Sequence, residues 1–272
     1  MSNRPIIGEF IKSPYRHGVF YSVDDIFIEC PNVWDAKEWL ETAKLQTRAI
    51  LEQTKRGDFV VEEHLSDLVE LLANLPTGQE VVIYDIGGGL GDNYVQLQRA
   101  LGSELFKTID YQIVETEQNC IDGEKFTKKF GSPPKFLKLD SLKIDDSGNK
   151  YTLVLLCGVL SYIPGWQNAI QDLCERGIKT FYITRTVFSN RVKSFFTVQF
   201  IVPSTGPYAG KYIGDCACEV INFQELKDIF KSKNFSLSKE HFLCCYREAM
   251  GNLPEPYRCT YYSSLVFEKE PS

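Results

Sequence analysis

A glycine-rich turn flanked by acidic residues is the part of this sequence best suited to bind a ligand. Residues 85–92 read Asp-Ile-Gly-Gly-Gly-Leu-Gly-Asp and follow the β-branched run 80–86, EVVIYDI. Glycines allow positive φ and a close approach of the main chain to a ligand. A turn between a strand and a helix lies in the crevice where open α/β sheets bind ligands. We therefore expect a ligand site, the alternative being a glycine-rich turn that binds nothing.

Two common ligand classes fit this turn poorly. A dinucleotide fingerprint, G-x-G-x-x-G, counted from Gly87 ends on Asp92, whose negative charge would lie beside a pyrophosphate. A phosphate-binding P-loop needs Gly-Lys followed by Ser or Thr, and residues 85–92 contain no lysine. The sequence therefore disfavours NAD and nucleoside triphosphates.

The order Asp-x-Gly-x-Gly-x-Gly resembles the first motif of Rossmann-like class I methyltransferases, whose methyl donor is S-adenosylmethionine. That donor carries a sulfonium and an ammonium, so nearby carboxylates would attract it. Glu115, at the end of the next predicted strand, would accept the two ribose hydroxyls. The donor-binding residues predicted in this way are Asp85, Gly87, Gly88, Gly89, Gly91, Asp92, Glu115, Asp140, Ser141, Cys157 and Gly158.

A closer resemblance covers the chain from about Trp34 to its carboxyl terminus. The segments DIGGGLGDNYVQLQ, IVE, LVLLCGVLSYI, RTVFS and FTVQFIVPS resemble, in the same order, a bacterial family of S-adenosylmethionine-dependent methyltransferases associated with surface-polysaccharide gene clusters. In that family the glycine motif tends to be followed by Tyr-x-Gln, and Tyr94 and Gln96 stand in those places. Thr184 departs from the pattern, because an acidic residue is expected there.

The acceptor side of the reaction is less clearly marked in the sequence. Methyl transfer is an in-line displacement that depends on positioning, and a hydroxyl acceptor also needs a base. Tyr162 and Arg185, just beyond the fourth and fifth predicted strands, are catalytic and acceptor-binding candidates, since Arg185 could pair with a phosphate or carboxylate. An internal ion pair for Arg185 and a packing role for Tyr162 are the competing interpretations. His241 is a third catalytic candidate, although a structural histidine is favoured, and the resemblance adds Gln199 and Tyr208 as acceptor contacts.

The apolar pattern predicts the elements that position these residues. Strand-like runs at 80–86, 110–115, 135–140, 151–157 and 179–184 alternate with helix-compatible segments. This alternation predicts a Rossmann-like α/β fold with a seven-stranded, mostly parallel sheet and helices on both faces. The final segments, SLSKEHFLCCY and YRCTYYSSLVFE, are expected to form an antiparallel strand pair.

Two regions are expected outside this core. Residues 1–75 carry two helical patterns and are predicted to form an N-terminal helical extension, or cap, before the methyltransferase-like domain at 76–272. His64 falls at the start of the second helix, where we expect it to face solvent. Residues 186–222 show no clear period and are expected to form a functional insert that encloses a small acceptor.

Composition and net charge limit the kinds of molecule that this protein is expected to bind. A net charge of -6 removes the attraction on which nucleic-acid binders depend, and no apolar run is long enough to span a membrane. We therefore expect a cytoplasmic protein acting on a small molecule. The nine cysteines lack C-x-x-C spacing and are interpreted as reduced, packed thiols, so no metal site is predicted.

The sequence thus favours methyl transfer from S-adenosylmethionine to oxygen or nitrogen of a small molecule, such as a sugar, a sugar nucleotide or a phosphorus-containing precursor of a bacterial surface polysaccharide or capsule. The alternative from another class is a non-catalytic binding protein in a glycan-assembly complex. An NAD-linked oxidoreductase is opposed by Asp92. An aminopropyltransferase is opposed by the absence of an acidic diamine-binding segment after the fourth strand, where residues 157–162 read CGVLSY.

Overall fold

A computed structural model describes residues 16–271 except 27, 29–32, 58, 129, 131–132, 145–148, 204–205 and 246–249. The strands are β1 (Arg16–Phe20), β2 (Val81–Ile86), β3 (Ile109–Glu115), β4 (Lys135–Lys138), β5 (Tyr151–Cys157), β6 (Thr180–Ser189), β7 (Phe195–Ile201), β8 (Gly214–Asn222), β9 (Phe235–Cys245) and β10 (Thr260–Lys269). The helices are α1 (Lys37–Arg56), α2 (Glu63–Ala73), α3 (Asp92–Phe106), α4 (Glu117–Thr127), α5 (Trp166–Glu175) and α6 (Phe223–Ser232). Short 3₁₀ turns include Val33–Asp35, Leu139–Ser141 and Leu160–Tyr162.

Seven strands form the expected Rossmann-like sheet, in the order β4-β3-β2-β5-β6-β10-β9. The pairs from β4 to β6 are parallel, and β10 runs antiparallel to both β6 and β9. The predicted fold class and the C-terminal antiparallel pair are therefore confirmed. The carboxyl ends of β2, β3 and β5 meet at one edge of the sheet, and β6 continues past this edge after Thr184, so the segments beyond the edge can build one site.

Helices cover both faces of this sheet. Val82 and Tyr84 of β2 join a core cluster that includes residues of α5 and α6, whereas Val81 and Ile83 join a cluster with α2 and α3. All six residues of β2 are buried. Burial on both faces explains why the strands read as continuous apolar runs in the sequence.

The insert is a sheet, not an irregular loop. β7 and β8 pair antiparallel, β1 pairs with the other side of β7, and β8 pairs parallel with the end of β6 at Phe188 and Ser189. Seven of the nine residues of β8 are buried, so the strand lacks the polar alternation that would have revealed it. The lack of a clear period at 186–222 therefore hid strands from the sequence, and the enclosing role of this insert stays a prediction.

The two predicted N-terminal helices are confirmed as α1 and α2. The extension also contributes β1, so it is joined to the insert by strand pairing. None of the helices in the described part of the chain combines the length and the apolar character needed to cross a membrane.

Candidate functional site

The glycine turn between β2 and α3 is shaped by packing beneath it and by open space above it. A Cβ built on Gly87 would lie 2.4 Å from Val159 Cγ2, and one on Gly88 would lie 2.4 Å from Asp85 Oδ2. Gly89 also has a positive φ of 58°, but a Cβ there would meet nothing within 4 Å. Packing therefore excludes larger side chains at Gly87 and Gly88, whereas Gly89 leaves bare main chain facing open space.

Glu115, the last residue of β3, binds this turn directly. Its Oε1 accepts a hydrogen bond from the Gly89 N–H at 2.9 Å. Its Oε2 accepts from the Thr116 N–H at 2.9 Å and from Asn119 Nδ2 at 3.1 Å. The structure thus brings the predicted ribose acceptor and the open glycine to the same place.

Asp85 lies on the buried side of the turn. Its side chain is fully buried, and Oδ2 accepts hydrogen bonds from the Tyr111 hydroxyl at 2.6 Å and from Asn93 Nδ2 at 3.3 Å. Loss of solvation raises the pKa of Asp85 to about 7, although both hydrogen bonds favour the charged form. Asp85 therefore supports the turn from below, a placement that depends on Tyr111 and could not be inferred from the motif.

Arg185 lies at a β-bulge in the middle of β6, so the expectation that it follows this strand is wrong. The pairing of β6 with β10 slips between Ser263 and Leu265, and Arg185 has a φ of 53° at this point. Its side chain is exposed, and its Cβ would lie 3.7 Å from a Cβ built on Gly158. Bulges commonly redirect side chains beside active sites. Gly158, which follows β5, and Arg185, at the bulge of β6, are therefore neighbours.

Several charged or ionisable side chains surround Arg185. Burial raises the pKa of Asp92, and the Arg185 guanidinium opposes this rise. Burial also raises the pKa of Cys157 to about 12, so this thiol is neutral and no nucleophile near pH 7. The pKa of Arg185 itself is raised because nearby Cys157, Asp92 and Glu62 outweigh its own desolvation. Arg185, Asp92 and Glu62 therefore form one electrostatic cluster.

Glu62 and His64 were missed as site residues in the sequence. His64 is only 8% exposed, so the expectation that it faces solvent is wrong. Its Nδ1 lies 3.2 Å from Glu62 Oε2, and this contact is the main cause that lowers the pKa of Glu62. The Glu62 N–H donates to Gln96 Oε1 at 3.0 Å. Gln96 of the Tyr-x-Gln pair was the sequence signal that could have led to Glu62. A buried amide in the first turns of α3 needs a hydrogen-bond partner, and the Glu62 N–H is that partner.

Tyr162 and Gln199, the predicted acceptor contacts, meet beyond the end of β5. The Tyr162 hydroxyl donates to Gln199 Oε1 at 2.6 Å, and the Trp34 ring lies 5.0 Å from the Tyr162 ring. Burial raises the pKa of Tyr162 well above its usual value. Tyr162 is therefore a neutral hydrogen-bond donor and no general base near pH 7.

The N-terminal extension crosses the site. The Thr116 hydroxyl, after β3, donates to Asp35 Oδ1 at 2.8 Å, while the neighbouring Trp34 contacts Tyr162, after β5. Because β2 lies between β3 and β5, the 3₁₀ turn Val33–Asp35 spans the edge of the sheet at the glycine turn. We call this segment the roof.

The remaining predicted residues lie at other places. Asp140 and Ser141 are exposed in the 3₁₀ turn after β4. Tyr208 lies in the β7–β8 connection, where burial and the Glu41 carboxylate of α1 raise its pKa. His241 of β9 lies 3.1 Å from Asp67 of α2, measured from Nδ1 to Oδ2. Tyr208 and His241 thus each have an acidic neighbour on the N-terminal helices, and their functional roles stay predictions.

Solved structures of similar fold include a magnesium protoporphyrin IX methyltransferase from Synechocystis PCC 6803 with bound S-adenosylmethionine, which is 13% identical over 84% of each chain with a TM-score of 0.45. An S-adenosylmethionine-dependent methyltransferase from Clostridium acetobutylicum is 13% identical over 84% of this chain and 99% of its own, with a TM-score of 0.47. A 1,6-didemethyltoxoflavin-N1-methyltransferase from Burkholderia thailandensis, with 1,6-didemethyltoxoflavin and S-adenosylhomocysteine, is 14% identical over 94% of this chain and 100% of its own, with a TM-score of 0.46. No protein-family model and no curated protein sequence matches the chain. Similarity at these identities concerns the fold alone.

Proposed function

We propose that this chain is an S-adenosylmethionine-dependent methyltransferase. The observation that carries the proposal is the open main chain at Gly89, with the Glu115 carboxylate 2.9 Å from its N–H at the carboxyl edge of a parallel sheet. A carboxylate at this position suits ribose hydroxyls, and an uncovered glycine suits close packing of a nucleoside on the main chain.

The charges around the turn support a cationic ligand. Glu62, Asp92 and Glu115 contribute carboxyl groups near the edge of the sheet, and the Arg185 guanidinium lies near the first two of them. An excess of carboxylates attracts a sulfonium and an ammonium and repels a pyrophosphate. The residues present therefore fit S-adenosylmethionine better than a dinucleotide.

Positioning is the catalytic contribution that these residues support. S-adenosylmethionine, when bound, supplies an electrophilic methyl group on a sulfonium. Gly89 and Glu115 would hold the nucleoside part, and the neutral Tyr162–Gln199 pair would orient the acceptor by hydrogen bonds. The roof would exclude water from the reacting atoms. The Tyr162 phenol and the Cys157 thiol stay protonated and cannot act as a base, so a hydroxyl acceptor would pass its proton to solvent, whereas a neutral amine would lose its proton after the transfer.

The acceptor that we propose is a small molecule methylated on oxygen or nitrogen. Support comes from the aromatic rings of Trp34, Trp39 and Tyr162 beside the Gln199 amide, a combination of apolar and polar groups that suits a sugar or another ring. The sequence resemblance to methyltransferases of surface-polysaccharide gene clusters supports a sugar, a sugar nucleotide or a phosphorus-containing glycan precursor as its class.

Ligand-dependent thermal stability tests the cofactor class. A ligand that binds only the folded chain raises the melting temperature, so S-adenosylmethionine and S-adenosylhomocysteine should stabilise the protein and NAD should not. Stabilisation by NAD alone would contradict the proposal. Transfer of a labelled methyl group to candidate sugar nucleotides then tests the reaction, and donor binding without turnover across a broad acceptor panel would favour the non-catalytic alternative.

A further inference from the structure

We call the space at the carboxyl edge of the sheet, between Glu115 and Arg185, the cleft. A pair of opposite charges lies on the β5–β6 side of this cleft, away from the proposed nucleoside contacts Gly89 and Glu115. Arg185 is exposed in the middle of β6, one residue past the Thr184 that pairs with the last residue of β5, and the Glu62 side chain, just before α2, is 53% exposed. Each lies close enough to the other for its charge to favour the ionised form of its neighbour. Two exposed opposite charges in a cleft can bind each other or the two ends of a zwitterion.

The position of Arg185 is set by the backbone. A positive φ in a residue other than glycine is strained, and such residues cluster at functional sites. Here the bulge opposite Ser264 produces the φ of 53° and directs the chain past Gly158, whose N–H donates to the Thr184 carbonyl at 2.8 Å. The guanidinium is therefore presented from a rigid, hydrogen-bonded position at the edge of the sheet.

Two buried residues, Gln96 and His64, hold Glu62 in place. Its backbone N–H is bound by Gln96 of α3, and its carboxylate is bound by His64. The His64 carbonyl accepts hydrogen bonds from the Tyr182 hydroxyl at 2.9 Å and from Ser264 Oγ at 3.3 Å. A surface ion pair needs no such support, whereas a ligand-binding carboxylate gains from being held in advance.

The strand order separates this pair from the nucleoside contacts. Glu115 ends β3, and Arg185 of β6 lies level with the end of β5, with β2 and β5 between the two residues. Three strand spacings amount to about 14 Å. A single ligand that reaches both places must be elongated, with hydroxyls at one end and charged groups at the other.

We propose that Arg185 and Glu62 form a clamp for the amino-acid end of S-adenosylmethionine, in which Arg185 binds the α-carboxylate and Glu62 binds the α-ammonium. The clamp rests on the proposed function, because it assigns the methyl donor to this cleft. It changes the role of Arg185 from an acceptor contact to a donor-binding residue.

Three ligands distinguish binding at the clamp from binding at the nucleoside contacts. S-adenosylhomocysteine carries both charged groups, its decarboxylated form carries only the ammonium, and 5′-methylthioadenosine carries neither. Isothermal titration of the full chain measures the three affinities. Arg185→Gln should weaken S-adenosylhomocysteine binding about tenfold to hundredfold and change the affinities for the other two ligands about twofold or less. Glu62→Gln should weaken both amine-bearing ligands by a similar factor and spare 5′-methylthioadenosine.

Matched variants control for charge and for folding. Arg176→Gln removes an arginine that pairs with Asp172 on the surface of α5, and Glu63→Gln removes the exposed neighbour of Glu62. Neither should change any of the three affinities. Retained binding of 5′-methylthioadenosine shows that a variant is folded at the nucleoside contacts.

Different results would overturn the clamp and the proposed function. If Arg185→Gln leaves S-adenosylhomocysteine binding unchanged, or weakens all three ligands equally, Arg185 is an internal ion-pair partner and the clamp is wrong. If the unaltered chain binds all three ligands equally well, the clamp is wrong while the donor assignment stands. If the unaltered chain binds none of them, both proposals fail.

Discussion

The two sides of the cleft are built in different ways. On the β2–β3 side, Gly89 and Glu115 are presented by a strand, a turn and the next strand, and both were recognised from a short motif. On the β5–β6 side, Arg185 belongs to a bulge, while Glu62 and Gln96 come from two other elements. The nucleoside side is thus local in sequence, whereas the charged side exists only when three distant segments are packed together. A motif search can therefore find the first side and Arg185 and Gln96 of the second, but it misses Glu62 and the arrangement that joins the three.

The largest expected effect lies on the local side. Gly89→Val should abolish binding of S-adenosylmethionine, because the new side chain would fill the open space above the turn. Gly102→Val is the matched control, since Gly102 also has a positive φ and open space but lies at a kink inside α3. Both variants should lose about 1–3 kcal/mol of stability from backbone strain. Equal donor affinity in the two folded variants, measured by titration, would mean that the ligand does not approach Gly89.

A second prediction concerns Asp85, which supports the turn from below. Its pKa is raised to about 7 in the folded chain from 3.8, so the folded state binds more protons than the unfolded state between these values. The contribution of Asp85 to stability should therefore fall as the pH rises from about 4 to about 7, by a few kcal/mol. Asp85→Asn should remove this slope, as measured by urea unfolding at several pH values.

Asp228→Asn changes the same charge on the exposed face of α6 and should leave that pH dependence as it is. An identical slope in the Asp85 variant would show that the carboxyl group is not the buried acid that the structure places under Gly88.

Glu115→Gln tests the partner of the open glycine. Loss of the charge should weaken donor binding by about 1–3 kcal/mol, because ribose hydroxyls would lose a charged acceptor. Glu117→Gln, two residues further on and exposed beside Lys138, should have no effect on donor affinity. Calorimetric titration of both variants checks this, and similar affinities would place the ribose elsewhere.

The smallest effect is expected at His241. His241 and Lys239 of β9 both contact Asp67 of α2, and His241 is partly exposed. His241→Gln should cost at most about 1 kcal/mol of stability and leave donor affinity unchanged. Loss of turnover with intact donor binding would instead support the catalytic role that the sequence suggested. A transferase assay alongside thermal melting separates these outcomes.

The sequence predicted the seven-stranded core because its strands and helices have distinct apolar periods. It failed for β8, since burial on both faces removes the alternation on which strand prediction depends. The expectation that His64 faces solvent failed for a different reason, a contact with a residue far along the chain. A residue at a helix start usually faces solvent, but here the Tyr182 hydroxyl, 118 positions away, binds the His64 carbonyl and draws the start of α2 onto the sheet.

The pairing of β1 with β7 has a consequence for any shortened form of the chain. One edge of β7 is bonded to β8, and the other is covered by β1 from the N-terminal extension. Removing the first 20 residues would leave the amides and carbonyls on the β1 side of β7 without hydrogen-bond partners, while those on the β8 side keep theirs. Such an uncovered edge recruits strands from other molecules. A truncated chain would therefore self-associate, and its self-association would interfere with any measurement of its activity.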